Sequence, residues 1–220
     1  MSFDPSLVLE YAPMLLAGGL VTARICLVAF LLIPFLGTPV ALAVMGRNKL
    51  LRRLAIGYVE AIRNTPFLIQ AFLAFYGLPL YGIRLGAELT GILCLTIYGS
   101  AYFAEALRAA VLSIPRGQFE AADALGLKGL PKAWNVVVPQ LWPFLLPQVS
   151  NTSIFLIKES AILSVITVPE ITFAAQMAIS RTFSPAEFYL AIALFYWGVS
   201  SAVASVISLM ERRLEHVRSA

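Results

Sequence analysis

Histidine is almost missing from this chain: the one His216 lies within the last five residues. That excludes a His-centred metal site and any Ser-His or Cys-His dyad. Cysteine occurs twice, as Cys26 and Cys94, far apart and each inside an apolar run. They read as buried thiols, not as a disulfide framework. Charge is scarce as well. Asp, Glu, Lys and Arg make up 13% of the residues and apolar residues 60%, with a mean hydropathy of +0.84. A soluble domain carries about 25% charged residues, so a soluble globule of 220 residues is excluded. Disorder, which requires low hydrophobicity, is excluded too. No Gly-x-x-x-x-Gly-Lys-Ser/Thr loop occurs, so any nucleotide chemistry must sit on another polypeptide. Met1–Pro13 holds Asp4 and Glu10 but no Lys or Arg, and so lacks the basic start of a signal peptide. The apolar stretch behind it is expected to persist as the first membrane helix.

What the chain does have is long uncharged runs. A helix needs about 20 apolar residues to cross the hydrocarbon core. The runs Ile25–Met45, Asn64–Ile83, Leu89–Ala104, Ala133–Ile157 and Phe188–Met210 predict five spans. Their expected limits are about 13–45, 54–81, 86–111, 133–158 and 186–210, within a single domain covering 1–220. A sixth candidate, Ser160–Ser180, is divided by Pro169-Glu170 into pieces too short to cross.

The sixteen basic residues decide between five and six. With five spans, eleven fall on one side: Arg47, Lys49, Arg52, Arg53, Arg108, Arg116, Lys128, Lys132, Arg212, Arg213 and Arg218. Arg84 and Arg181 fall on the other, and Arg24, Arg63 and Lys158 lie in or at the ends of spans. Cytoplasmic loops are the basic ones. The reading is an all-α integral membrane protein with its N-terminus outside and C-terminus inside. Ser160–Ser180 is then an external re-entrant or interfacial segment, which needs protein or water around its backbone. The positive net charge of +4 is used by this topology, and no nucleic-acid partner is expected.

The longest basic-side loop spans about 112–132. Pro115 suits the start of a helix, Gln118–Leu125 are good helix formers, and Gly126 can end the helix in the left-handed region. Ala121, Ala122 and Leu125 provide a small apolar face. A short rigid helix with small residues can seat in a groove of another protein and transmit a push.

Glu120-Ala121-Ala122, then Gly126, then Val138-Pro139 resembles the EAA loop of ABC importer membrane subunits. Four further stretches resemble the polar amino acid permease branch: Arg63-Asn-Thr-Pro-Phe-Leu-Ile-Gln70, Ser113-Ile-Pro-Arg-Gly-Gln118, Pro139-Gln140 and Lys158-Glu-Ser-Ala-Ile-Leu-Ser-Val-Ile166. The resemblance runs over roughly residues 14–210. It implies a five-helix, MetI-like transmembrane domain of a type I importer in a bacterial inner membrane. It also implies a second identical or homologous permease subunit and an extracytoplasmic solute-binding protein. Separate ATP-binding cassette subunits would hold ATP and Mg, leaving this chain without a cofactor or catalytic role of its own. Gly117, Glu120, Ala121, Ala122 and Gly126 would then couple to the ATPase. The chain departs from the family pattern at Arg24 and at Glu159-Ser160-Ala161.

Arg24 is the sharpest anomaly, since a charge near mid-span is costly. It is expected to face the bundle interior, a partner or water, as a contact for an anionic solute group. The other reading pairs it with Glu60, Glu88 or Glu159, or lets it snorkel. Asn151, Ser153, Lys158, Glu159 and Glu170 are candidates for the path and its external gate. Glu60 with Arg63, and Glu105 with Arg108, can each share a helix face as interfacial anchors or as parts of an inner gate. A stand-alone carrier or channel is the competing function, though no inverted repeat is visible. A membrane-embedded enzyme lacks the side-chain inventory.

Overall fold

The computed structural model describes residues 3–219, with side chains up to Met210. The basic tail and His216 therefore lie outside the described side chains. The elements are α1 (Ser6–Glu10), α2 (Ala12–Met45), α3 (Lys49–Asn64), α4 (Phe67–Phe72), α5 (Ala87–Leu112), α6 (Arg116–Ala124), α7 (Leu130–Lys132), α8 (Val138–Glu159), α9 (Ile171–Thr182) and α10 (Pro185–Ser219). The described residues contain no strand.

Four helical stretches are long and apolar enough to cross a membrane: Ala12–Met45, Ala87–Leu112, Leu130–Ile166 and Pro185–Met210. They match four of the five expected spans. The expected second span is not one helix. Thr65 is extended (φ −108°, ψ 134°), and a new helix starts at Phe67. The cause is Pro66, whose ring disfavours helical geometry in the residue before it. Beyond the break, α4 passes into a π-helical turn at Leu73–Gly77 and a 3₁₀ turn at Leu78–Tyr81. At about 1.5 Å per residue, Phe67–Tyr81 falls short of a hydrocarbon core of about 30 Å. Any crossing here is composite, made of α3 and α4 together.

The centre of the bundle is α5, packed along α2, α3 and α8. Small residues allow the approach. A Cβ on Gly99 would come within 2.3 Å of Ile33 and 2.8 Å of Leu156, and one on Gly91 within 2.9 Å of Leu163. One apolar cluster gathers Ile25, Ala29, Leu95, Leu156 and Ile166. A second, around Ala41, Ala104, Leu107 and Leu141, lies toward the other end of α5. A third joins α9 to α2 and α10 through Leu15, Ala175 and Phe188. Cys26 and Cys94 are buried free thiols.

The outward side of α2 is a stripe of exposed Leu16, Leu20, Leu27, Leu31 and Phe35, and α10 presents Leu190, Leu194 and Trp197. Apolar side chains are the stable surface against lipid tails. The expected re-entrant segment Ser160–Ser180 does leave the helical ladder. It runs as a 3₁₀ stretch, Ser160–Ile166, then turns at Thr167 (φ 63°) into α9.

Gly18 is where α2 and α9 touch most closely. A Cβ there would lie 2.9 Å from the Ile171 Cα and 3.0 Å from the Glu170 carbonyl oxygen, whereas one on the exposed Gly57 of α3 meets nothing. Gly18→Ala must push α9 away and should lower the melting temperature in detergent. Gly57→Ala should leave it unchanged or raise stability by about 0.5–1 kcal/mol, the cost of glycine in a helix.

Candidate functional site

The site candidates fall in three places. The first is the short helix α6. Pro115 precedes it, and its C-terminus closes with Gly126 at φ +75°. The Leu127 N–H donates to the Ala122 carbonyl (3.0 Å) and the Gly126 N–H to the Asp123 carbonyl (3.0 Å). This is the paired closure of a left-handed glycine cap. Two residues at the head of the next membrane helix hold α6. Lys132 Nζ donates to Asp123 Oδ1 (2.8 Å) and stands 5.4 Å over the Phe119 ring, while Gln140 donates to Gln118 Oε1 (3.2 Å). Ala122 is buried on this side. Gly117, Glu120, Ala121, Leu125 and Gly126 are exposed on the free side. The structure thus splits the predicted set: Ala122 seats the helix, and the other four form its free surface.

The second place is the exposed face of α8. Gln148, Asn151, Phe155 and Lys158 recur at helical spacing and are all exposed, in contrast to the leucines of α2. Ser153 is on another face, against Phe30, Ile33 and Phe103 in a cavity of about 70 Å³. Glu159 is half-buried. Phe155 belongs to an aromatic wall with Tyr98 and Tyr102, ring centroids 5.8–6.0 Å away. Phe67 extends it to Tyr98 at 5.1 Å, and the Tyr98 and Tyr102 hydroxyls are 3.2 Å apart. The Arg63 guanidinium lies 5.2 Å from the Tyr102 centroid, within cation–π range. Below it opens a cleft of about 730 Å³ between α3, α5 and the end of α2. Arg52, Glu60, Arg63, Glu105 and Arg108 line it. Glu105 and Arg108 form the expected same-face pair at 2.5 and 2.9 Å. Glu60 and Arg63 do not pair; Arg63 turns to the tyrosine instead. The aromatic wall was not singled out from the sequence, because Tyr98, Tyr102 and Phe155 look like any span-filling aromatics until two helices bring them together.

Arg24 is a correction in one part only: it stands outside the bundle interior, and the pairing with a carboxylate, the other reading, is the one found. It occupies the outward stripe between Leu20 and Leu27 and pairs with Glu88 of α5, with side chains 59% and 38% exposed. Glu88 was one of the three partners named for it. An outward ion pair lowers the cost of both charges without needing a solute.

Glu170 is the second correction, and the third place. Expected at the external gate, it is fully buried. Its carboxylate accepts from the Thr172 N–H (2.9 Å), the Phe173 N–H (2.8 Å) and the Tyr196 hydroxyl (2.9 Å). The Ile171 N–H donates to Thr22 Oγ1 (3.2 Å), which itself donates to the Gly18 carbonyl (3.1 Å). The first three N–H groups of α9 are thereby satisfied inside the protein, as a buried helix start requires. Glu170 holds the start of α9 in place against α2 and α10. The cap was hidden in the sequence because Ser, Thr, Asp and Asn are the usual capping residues.

The chain belongs to the family described as binding-protein-dependent transport system inner membrane component, which it matches over residues 33–216. It is 31% identical to the probable amino-acid ABC transporter permease protein YckA of Bacillus subtilis (strain 168), covering 97% of this chain and 95% of the relative. It is 35% identical to the probable glutamine ABC transporter permease protein GlnM of the same organism, covering 82% and 83%. A crystal structure of an amino acid ABC transporter with histidines superposes with a TM-score of 0.91 at 34% identity, covering 97% of this chain and all of that one. The inward-facing MetNI methionine transporter shares the fold, with a TM-score of 0.79 at 20% identity. The chain is a multi-pass membrane permease of a binding-protein-dependent ABC importer, a family whose members work with ATPase and binding-protein partners. Nothing in these likenesses supports a stand-alone carrier or channel.

Removing the Glu170 carboxylate strands two buried N–H groups and a hydroxyl. Glu170→Ala should cost about 3 kcal/mol and Tyr196→Phe about 1 kcal/mol, on the scale of unsatisfied buried groups. Lys158→Ala, at an exposed position, should stay within about 0.5 kcal/mol. Denaturation followed by tryptophan fluorescence in detergent orders the three.

Proposed function

We infer that this subunit forms the translocation path for an amino acid or similar small polar solute, and that α6 couples the path to ATP hydrolysis on a separate chain. The observation that carries the reading is the clamped helix. α6 is fixed to the start of the Leu130–Ile166 stretch by Lys132 and Gln140. Its free surface sets the small residues Gly117, Ala121 and Gly126 beside the exposed Glu120 and Leu125. A displacement of α6 therefore moves the whole of α8, including Asn151, Phe155 and Lys158. The names of the relatives, which include amino-acid, glutamine, L-cystine and nopaline systems, support the solute class.

In this reading α6 seats in a cleft of an ATP-binding cassette subunit, which holds the ATP and Mg; this chain binds no cofactor. Two permease subunits, identical or homologous, bring two aromatic walls together around the path. An extracytoplasmic binding protein delivers the solute. The membrane is a bacterial inner membrane, crossed five times from an outer N-terminus to an inner C-terminus, with the composite α3–α4 as the second crossing. The distribution of Lys and Arg supports that orientation. The Arg63–Tyr102 contact and the charged cleft below it suit a zwitterion leaving toward the cytoplasm.

The test is solute-stimulated ATPase activity of the complex reconstituted with its ATPase subunits and binding protein. Amino acids should stimulate hydrolysis. Gly126→Asp should reduce activity to the unstimulated level while the chain remains folded: a Cβ there meets nothing within 4 Å in this subunit, and the left-handed φ of +75° costs an aspartate about 1 kcal/mol. Stimulation that survives the substitution would remove the coupling role, and solute flux through the permease without ATP would overturn the importer reading.

A further inference from the structure

Helix α3 has three sides. Ala55 and Val59 face the bundle and are buried, and Tyr58 fastens that side to α5 through the Ile97 carbonyl (2.9 Å) and Ser100 Oγ (2.6 Å). Leu50, Leu54, Gly57 and Ala61 recur at helical spacing on a second, exposed side. Lys49, Arg52, Arg53 and Ile56 share the third, and these four alone line a cavity of about 340 Å³. No carboxylate borders it. The one acidic residue of α3 is Glu60, about 10 Å further along the axis from Arg53 at 1.5 Å per residue.

This placement of cations runs against local electrostatics. The first turn of a helix carries partial positive charge and favours Asp or Glu. Here the first turn has no acidic residue, and Asn48 supplies only a neutral cap, accepting from the Leu50 and Leu51 N–H groups at 3.0 and 3.2 Å. Arg47 adds a fourth cation just before it. Arg52 also borders the cleft that holds Glu60 and Glu105, but Lys49 and Arg53 face a cavity that no acid borders and call for an external anion. The neighbouring leucines identify its source. A helix that enters a bilayer with basic residues beside exposed leucines sets its cations at the phosphates and its leucines among the acyl chains. The segment follows directly on the end of a membrane helix at Met45, where polybasic clusters meet anionic headgroups.

We propose that Lys49, Arg52 and Arg53 form a binding site for the phosphate of an anionic phospholipid, with Leu50 and Leu54 seated among its acyl chains. The site anchors the hinge between the first span and the composite second crossing to the membrane surface, so lipid charge acts on the subunit at a point remote from the path.

The experiment uses the permease–ATPase complex in nanodiscs of phosphatidylcholine alone or mixed with phosphatidylglycerol, with retained lipid counted by native mass spectrometry. The wild-type complex should retain phosphatidylglycerol selectively, and added salt should weaken the preference. Each cation near an anionic surface contributes roughly fivefold, so Lys49→Gln/Arg52→Gln/Arg53→Gln should lose on the order of 100-fold in preference. Arg53→Gln alone should lose about fivefold, which keeps the reading available if the triple variant fails to fold. Leu50→Ser/Leu54→Ser should weaken retention of both lipids equally. An unchanged preference in the variants would overturn the proposal, as would displacement of the lipid by inorganic phosphate. So would loss of the ATPase subunits from the triple variant in detergent, because the surface would then be a protein contact. Nanodiscs expose both leaflets, so the outcome is independent of the orientation inferred above.

Discussion

Hydrocarbon offers no partner to a backbone N–H, so a helix that starts inside a membrane bundle must find its partners within the protein. The start of α9 is the clearest case. Its first three N–H groups end on Thr22 and Glu170, and the tight contact of Gly18 with the same turn leaves no room for a side chain between them. Through Tyr196 the same carboxylate reaches α10. The external segment is thereby joined to the first and last long helices, and the third apolar cluster fills the space between them. Without this closure, the segment from Ser160 to Thr182 would be an unpaired loop at the edge of a membrane.

The same constraint separates the two kinds of surface on the bundle. Leucines cover the outer sides of α2 and α10, while α8 exposes Gln148, Asn151 and Lys158 next to an aromatic wall. Polar groups at such depths belong where water or another protein replaces lipid. Arg24 does not contradict this division. It stands on the leucine stripe and takes its own counterion, Glu88, from the head of α5. Its charge is balanced locally by an ion pair, whereas Gln148, Asn151 and Lys158 on α8 are exposed side by side.

At the other end, charge and rigidity are combined differently. α6 is short, but its capped end and its ties to Lys132 and Gln140 make it one body with the helix that carries the polar strip. α3, by contrast, presents unpaired cations and bare leucines to its surroundings. One element is tied to its neighbours through side-chain contacts, and the other leaves basic and apolar side chains exposed. Between them lies the cleft of acids and bases, into which the aromatic wall leads through Arg63.

Much of this was legible in residue order. Uncharged runs, Pro115 and Gly126 located four apolar spans and the short helix α6, because hydrophobic length, proline geometry and left-handed glycine are local properties. The family resemblance rested on short motifs of the same local kind. The break at Thr65–Pro66 was equally local, yet it was overlooked because an uncharged run conceals a change of backbone path. The roles of Arg24, Glu170 and the aromatic wall were of another sort. Each depends on a residue at least 26 positions away, Glu88 for Arg24, Tyr196 for Glu170 and Tyr102 with Phe155 for the wall. Whether a carboxylate lines a path or caps a buried helix is decided by which helices stand beside it. The sequence by itself determined that this chain is a bundle of membrane helices with a small rigid helix at one end. Only the tertiary structure decided which charges are spent on holding that bundle together and which are left free to act.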